Sequence, residues 1–249
     1  MYGDPELAVI REIATNGRDA TIEAGSDRPI EVQTPSQLSP FLKVRDFGCG
    51  LDVEAIRNVF SKYGASTKTQ TNTQTGCLGI GSKSPLAYAP QFTVSSVKDG
   101  TRIEVIVSLN DEGAGQMVVV DTVATDEPNG TEVIVPAKRH NAIATKARNL
   151  FRYWPAGTVL LDGEPVDGVE GEVLSDKPAT VRVETPDGGT RDVRIDKMVV
   201  RQEHGESHIV MGGVPYPIPS DHNDLGLAWG QSLVAWRCTP SSTAPLNLD

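Results

Sequence analysis

The sequence predicts an α+β fold, a two-layer α/β sandwich in which helices cover one face of a mixed, mainly antiparallel sheet. The first observation behind this prediction is the order of elements, because helical patterns precede four consecutive strand-like runs. The second is composition: the 249 residues include 24 glycines and 17 prolines, but only 5% are aromatic. Short strands and turns are therefore favoured over a large helical bundle, with a core mostly of Val, Ile, Leu and Ala.

The first predicted helix begins near Asp4 and Pro5, because Asp is a good N-cap and Pro suits the first helical position. It ends near Ala24, where Gly25 can stop it. One face of this helix is shared, at helical spacing, by Ile10, Ile13, Ala14, Gly17 and Thr21. A mid-helix glycine costs about 1 kcal/mol relative to alanine. Gly17 on that face therefore indicates close packing of the helix on the sheet.

Two strands are predicted next, over residues 30–33 and 41–46, followed by a helix over residues 53–63 that Asp52 caps. Residues 64–75 are polar and without periodicity, which is typical of a mobile loop. A short helix should follow, beginning just after Gly81 and ending around Tyr88.

Four strand-like runs separated by turn signals then predict an antiparallel meander, over residues 91–97, 102–109, 116–123 and 131–135. An amphipathic helix over 138–153 and a strand over 158–161 complete the first unit. Its expected packing positions are Ala142, Ala147, Leu150, Phe151 and Trp154.

These elements predict three regions. Residues 1–161 form a ligand-binding domain with a lid at about 63–80, and residues 162–219, rich in Val and turn signals, form a β-rich extension. Residues 220–249 show no clear element, and we expect this tail to be partly disordered.

Charge and cysteine usage exclude several function classes. The net charge of −10 and the pI near 4.9 argue against direct binding to nucleic acid or anionic membranes. The cysteines Cys49, Cys77 and Cys238 form no CxxC pair and fit a reducing compartment. No secretory leader or run of 18 apolar residues is present, so we predict a cytoplasmic location.

The first chemistry-bearing segment lies on the first helix, where Glu12 and Asn16 are four residues apart and Asp19 follows. Residues at this spacing project together, so a carboxylate and an amide oxygen can meet one ligand. A carboxylate beside a phosphate can orient and deprotonate water, and an amide oxygen suits Mg²⁺. A solvated helix face is the alternative interpretation of such a stripe.

The second segment places Asp46, Gly48 and Gly50 at the end of a strand. The carboxylate can accept a hydrogen bond from an exocyclic amine such as that of adenine, and the two glycines let the backbone pass close to a flat base. An ordinary strand-to-helix turn is the alternative. Thr131, at the start of the last meander strand, can bond the base or an ordered water near Asp46.

The third segment is a glycine-rich loop that opens a helix. Free backbone N–H groups at such a place trap anions even in an acidic protein. It consists of Gly76, Gly79 and Gly81, followed by Ser82 and Lys83 as further phosphate contacts. No strand runs into it and GxxxxGK[ST] is absent, which argues against a dinucleotide-binding unit and a P-loop.

All four features, in this order and with a polar lid before the glycine loop, resemble the GHKL ATP-binding domain of DNA gyrase B, the ninety-kilodalton heat-shock chaperone, MutL and histidine kinases. The resemblance spans about residues 5–161. It implies a Bergerat-type ATP-binding fold that binds ATP with Mg²⁺. It implies that Glu12 activates water, Asn16 holds Mg²⁺ and Asp46 recognises adenine with Thr131, whereas Asp19 is supporting. Gly48 and Gly50 form the base-side turn, and the glycine loop binds phosphate.

Within that superfamily, residues 81–88 and 91–94 are similar to the rIIA-type rapid-lysis proteins of tailed bacteriophages, as are residues 211–217. That likeness implies a lysis-control role in the host cytoplasm, with a protein partner or a homodimer. We expect the ATPase to be slow, because the domain shows no certain lysine or arginine that would reach the γ-phosphate. Three alternatives stay open: a nucleotide-sensing module without meaningful catalysis, a kinase, and a degenerate protein that keeps the fold but not the ligand.

Overall fold

The computed structural model describes residues 4–57, 84–111, 113, 115–168, 172–175, 179–184, 190–195, 197–202, 208–211, 214–217, 231–236 and 239–240. The chain divides into two compact units. The first comprises Met1–Asn149 and Gly157–Val166, and the second comprises Leu150–Ala156 and Asp167–Asp249.

The first unit is an α+β sandwich. Its helices are α1 (Pro5–Glu23), α2 (described at 53–57), α3 (Ser84–Tyr88) and α4 (His140–Phe151, of which the last two residues belong to the second unit). Its strands are β1 (Ile30–Gln33), β2 (Phe41–Arg45), β3 (Gln91–Lys98), β4 (Thr101–Leu109), β5 (Gly115–Ala124), β6 (Gly130–Pro136), β7 (Val159–Leu161) and β8 (Glu164–Pro165).

These strands form one sheet in the order β5-β4-β3-β6-β2-β1-β7-β8. Within it β1 and β7 pair in parallel, while the other neighbouring strands pair antiparallel. The predicted mixed, mainly antiparallel sheet is therefore confirmed.

The predicted four-strand meander is wrong at its last strand. β3, β4 and β5 are consecutive neighbours, but β6 leaves β5 and pairs with β3 and β2. In this position β6 has a neighbouring strand on each side, and its residues Thr131 and Val135 are buried. β5 lies at the sheet edge, with Val118 and Val120 exposed. This crossover brings Thr131 beside the end of β2.

The ends of α1 lie where the sequence places them. The Asp4 carboxylate accepts a hydrogen bond from the Leu7 amide at 3.1 Å, and Pro5 begins the helix. At the other end Gly25 adopts a φ of +68°, and the Ser26 amide donates to the Thr21 carbonyl. This is the glycine-terminated helix end that the sequence predicts.

The apolar face of α1 packs on the sheet through side chains that are all buried, Ile10, Ile13, Ala14, Gly17 and Thr21. A Cβ at Gly17 would lie 3.3 Å from the Asp46 Cβ and 3.9 Å from side-chain atoms of Ile30 and Val44. The close approach inferred from Gly17 is confirmed. It sets α1 directly against the end of β2.

Ion pairs tie α1 to α4 within the first unit. The buried Glu6 carboxylate lies 2.6 Å from the Lys146 ammonium and 2.8 Å from the Arg139 guanidinium. Lys146 also contacts Asp4 at 2.6 Å. Because Glu6 is paired twice, its burial does not leave an uncompensated charge.

On α4, Ile143 is fully buried, a packing position that the sequence pattern does not single out.

The second unit is described through its strands, β9 (Glu172–Ser175), β10 (Ala179–Glu184), β11 (Thr190–Ile195), β12 (Lys197–Gln202), β13 (His208–Met211), β14 (Val214–Pro217), β15 (Gln231–Trp236) and β16 (Thr239–Pro240). They form sheets of order β10-β11-β16 and β14-β13-β15-β12-β9. β15 and β16 fall in the stretch where the sequence shows no clear element. β15 pairs with β12 and β13, which are distant in sequence, so the local sequence pattern does not predict this strand.

Among the helices of the described ranges, none has both the length and the apolar character needed to cross a membrane.

Candidate functional site

A cavity lies beneath α1, on the helix-covered face of the sheet. The space that the centre of a water-sized sphere can occupy in it is about 30 Å³. Among the described residues, its walls are mostly apolar and include three polar side chains. The lining residues are Ile13, Asn16, Gly17, Val44, Asp46, Leu51, Pro85, Phe92, Val94, Thr131 and Val133. An apolar slot with a few convergent polar groups suits a flat heterocycle.

Asp46 is the best-defined polar group of this cavity and is only 5% exposed. Its Oδ1 accepts hydrogen bonds from the Gly48 amide at 2.9 Å and the Thr131 amide at 3.0 Å. Burial raises the pKa of Asp46 to about 6, against the lowering effect of those two amides and of Arg45. Within the described residues, no donor bonds to Oδ2. Among the described residues, no donor competes with a ligand for Oδ2.

Neighbouring backbone fixes the position of Asp46. Its amide donates to the Thr131 carbonyl at 2.8 Å, so the end of β2 and the start of β6 are joined in both directions. From α1, the Thr21 hydroxyl donates to the Gly17 carbonyl at 2.8 Å and accepts from the Phe47 amide at 3.1 Å. Gly48 lies against Ala20, where an added Cβ would be 3.0 Å from the Ala20 Cβ.

Gly130 brings β6 against Asp46. Its φ is +141°, and an added Cβ would lie 2.2 Å from the Asp46 carbonyl oxygen. We expect Gly130→Ala to lower the free energy of unfolding by about 3 kcal/mol, because a strained backbone and a clash with main-chain atoms combine. Urea unfolding measures this change. Gly25→Ala is the matched control, since Gly25 has positive φ but open space around its Cβ position. Equal losses in the two variants would contradict the proposed clash.

Asn16 reaches the same cavity from α1. The side chain is half-buried, and its Nδ2 atom is buried without a hydrogen-bond partner among the described residues. A side-chain amide carries an oxygen acceptor and an NH₂ donor, and a half-turn about its last bond exchanges them, so either can meet a ligand there. An unsatisfied amide at a cavity wall is costly, and a polar ligand would relieve that cost.

Glu12 does not line the cavity in this structure. It lies one helical turn before Asn16, and its Oε1 is 3.0 Å from the Arg11 guanidinium. Asp19 is exposed farther along α1. The structure therefore brings Asn16, Asp46 and Thr131 together but leaves Glu12 and Asp19 outside that group.

Of the predicted glycines, Gly48 binds Asp46 directly, whereas Gly50 packs against β3. Gly50 has a φ of +72°, and an added Cβ would lie 1.9 Å from the Val97 carbonyl oxygen. The predicted phosphate contacts Gly76, Gly79, Gly81, Ser82 and Lys83 lie outside the described residues, as does the lid.

Ser96 belongs to the site and is missed by sequence reasoning. It is fully buried, and its Oγ lies 2.7 Å from the Leu51 amide and 3.2 Å from the Thr131 hydroxyl. A sequence signal exists, because Phe92, Val94 and Ser96 alternate along the inward face of β3. A hydroxyl at an inward position is expected to serve a hydrogen bond.

No protein-family model matches the chain, and no curated protein matches it. Solved structures do match. The ATPase region of Saccharomyces cerevisiae topoisomerase II is similar with a TM-score of 0.52 and 14% identity, over 83% of this chain and 61% of that one. The same region bound to ICRF-187 (dexrazoxane) gives 0.51 and 13%, over 84% and 62%. The ATPase and transducer domains of topoisomerase II from Balamuthia mandrillaris give 0.51 and 15%, over 84% and 59%.

At such identities the likeness concerns the fold. The chain shares the fold of these ATPase regions, and the predicted two-layer α/β sandwich is confirmed. The chain spans about three fifths of the length of the structures it matches.

Proposed function

We propose that the first unit binds ATP with Mg²⁺ in the cavity beneath α1 and hydrolyses it slowly. The observation that carries this proposal is the apolar slot closed by Asp46, whose Oδ1 is held by two backbone amides while Oδ2 is open. The shared fold of the topoisomerase II ATPase regions supports it.

Adenine suits this slot for a chemical reason. Its exocyclic amine donates hydrogen bonds, and an ionised Oδ2 on Asp46 accepts one in a setting largely shielded from water. Around it Val44, Phe92, Val94 and Val133 supply apolar surface for the faces of a flat base. A 6-oxo purine would instead place an acceptor against the carboxylate, so the slot discriminates between the two base types.

Asn16 would hold the Mg²⁺ that accompanies the triphosphate. Mg²⁺ commonly takes few ligands from the protein and the rest from phosphate oxygens and water. The donor set fits this mode, because within the described ranges no group of three or more His, Cys, Asp or Glu residues could form a cage. The amide oxygen of Asn16, a residue of the cavity wall, is a hard ligand of the kind that Mg²⁺ takes. The ion would neutralise phosphate charge, and the glycine loop would supply backbone amides.

Hydrolysis requires a group that orients the attacking water, and Glu12 is our candidate for this role. One helical turn separates it from Asn16, so both side chains can face a triphosphate that extends along α1. In that position the carboxylate would accept the proton of a water aligned with the γ-phosphate.

The second candidate function is a nucleotide-sensing module that binds ATP without meaningful turnover. The placement of Glu12 favours it, since the carboxylate contacts Arg11 at 3.0 Å rather than lining the cavity. A sensor needs only the base site and a partner that recognises the bound state. A lysis-control role of rIIA type in the cytoplasm of a phage host belongs to the proposed ATPase, and its support is the sequence likeness at residues 81–88, 91–94 and 211–217. For both functions we propose a protein partner or a second copy of this chain.

Thermal unfolding with and without nucleotide tests the proposed function. A ligand that binds only the native state at about 100 times its Kd adds about 2.7 kcal/mol of stability, which corresponds to a rise in Tm of roughly 5–10 °C for a chain of this size. We expect such a rise with ATP and Mg²⁺, and a smaller one when EDTA replaces Mg²⁺. An unchanged Tm with ATP and Mg²⁺ at millimolar concentration would overturn the proposal.

A further inference from the structure

The strand β5 forms an open edge of the first unit's sheet. Among the described strands it pairs with β4 alone, and it lies at the end of the sheet opposite β8. Within the described residues, the main-chain N–H and C=O groups on its outer side therefore have no partner strand. A row of such groups is a template for the addition of another strand.

The two edges of this sheet differ in how they resist such pairing. β8 consists of only Glu164 and Pro165, and a short strand with a charge and a proline is a common means of blocking an edge. β5 is ten residues long, contains no Lys or Pro, and exposes the consecutive residues Val118, Val119 and Val120. Since neighbours on a strand point to opposite faces, this edge offers apolar surface on both faces of the sheet.

A bulge limits the regular part of the edge. The register between β4 and β5 shifts between Glu104 and Val105, so Val120 is an extra residue on β5. Before the bulge, Gly115–Val119 pair with β4 in regular register. This stretch has about the length of an ordinary strand and is long enough to pair with a docked segment.

The region around this edge is strongly acidic. Residues 103–137, which run from β4 through β5 to the end of β6, contain no Lys or Arg. Asp121 of β5 lies directly opposite Glu104 of β4, and like charges in this position are unfavourable. No described cation forms an ion pair with either side chain. The region has seven carboxylates, at Glu104, Asp111, Glu112, Asp121, Asp126, Glu127 and Glu132.

We propose that the β5 edge binds an extended segment of another protein, with apolar side chains in its middle and Lys or Arg at its ends. The segment adds a strand beside Gly115–Val119, through main-chain hydrogen bonds and apolar contact with Val118. Its basic ends lie toward Asp121 on one side and Asp111 on the other. A second copy of this chain is a poorer occupant, because pairing β5 with β5 in either direction places acidic turns side by side.

The test uses a synthetic peptide of alternating Val and Thr with two lysines at each end. One comparison peptide has Glu in place of Lys, and another has Pro in place of Thr, which prevents strand pairing. We expect the lysine peptide to bind the full chain at least about 10-fold more tightly than either comparison peptide, and to slow hydrogen exchange of the β5 amides. A lysine peptide that does not bind, or binds no better than the proline peptide, overturns the proposal.

Asp121→Lys tests the charge of the edge in the folded chain. The variant removes the like-charge pair with Glu104, so we expect its stability to be retained. It should weaken binding of the lysine peptide by about 3-fold to 10-fold and strengthen binding of the glutamate peptide. Glu164→Lys is the matched control, because it makes the same charge reversal at the opposite edge of the sheet and should alter affinity by less than about 2-fold. Equal losses in both variants would assign binding to net charge and overturn the proposal.

Sedimentation equilibrium and hydrogen exchange of the chain alone test the other occupant. We expect the exchange of the β5 amides to be independent of protein concentration. A dimer whose formation slows exchange at Gly115–Val119 would assign this edge to a second copy of the chain and overturn the proposal.

Discussion

Replacing Asp46 by asparagine is expected to weaken ADP binding by about 10-fold to 100-fold and to reverse the preference between ADP and inosine diphosphate. Two backbone amides donate to Oδ1, so the asparagine oxygen must take that place and the NH₂ group must point into the cavity. A donor would then face the adenine amine, and a hydrogen bond to a charged group, worth about 1.5–3 kcal/mol, would be lost. The same donor would attract the 6-oxygen of hypoxanthine. Equilibrium titration of both nucleotides measures the change.

Asp27→Asn is the control for this prediction, because it removes the same charge from an exposed position that does not line the cavity. We expect it to change neither affinity by more than about 2-fold, in keeping with the screening of exposed charges. Unchanged ADP affinity in Asp46→Asn would remove Asp46 from base recognition.

The raised pKa of Asp46 predicts a pH dependence of stability that the Asp46→Asn variant should reduce. Burial raises its pKa from 3.8 to about 6, so between these values the folded chain binds more protons than the unfolded chain. The resulting stability is fully present below about pH 4 and is lost as pH rises through about 6, a change of about 3 kcal/mol. Nucleotide binding should run the other way and weaken as pH falls through 6, because a protonated carboxyl no longer accepts from the amine. Urea unfolding from pH 4 to 7 should show a flatter profile in Asp46→Asn.

Local chemistry explains why part of this site could be predicted from the sequence. The cap at Asp4, the stop at Gly25 and the apolar face of α1 depend on neighbours within a few residues. Asp46 at a strand end, followed by Gly48, is local in the same sense, because the Gly48 amide bonds to Asp46 two residues away.

The rest depends on partners that are distant in sequence. β6 lies between β2 and β3, and no pattern within residues 131–135 distinguishes this from continuation of the meander. The contacts of Ser96 with Leu51 and Thr131 span 45 and 35 residues. The contact with Thr131 follows from the pairing of β6 with β3, so an incorrect strand order conceals this contact as well.

Removal of the Glu12 carboxylate should separate catalysis from binding. We expect Glu12→Ala to lower the rate of phosphate release from ATP by at least about 100-fold, the usual contribution of a positioned general base. ADP affinity should remain within about 2-fold, since Glu12 lies outside the base cavity. Steady-state phosphate release and ADP titration on the same preparation measure the two effects.

The geometry of Glu12 makes this outcome decisive between the two candidate functions. For an ATPase, the carboxylate must leave Arg11, now 3.0 Å away, when a triphosphate is bound, so Arg11→Ala should retain turnover while Glu12→Ala loses it. For a sensor, wild-type chain, Arg11→Ala and Glu12→Ala should bind ATP alike, and none should release phosphate above the uncatalysed rate. Phosphate release that persists undiminished in Glu12→Ala would assign the water-activating role to another group.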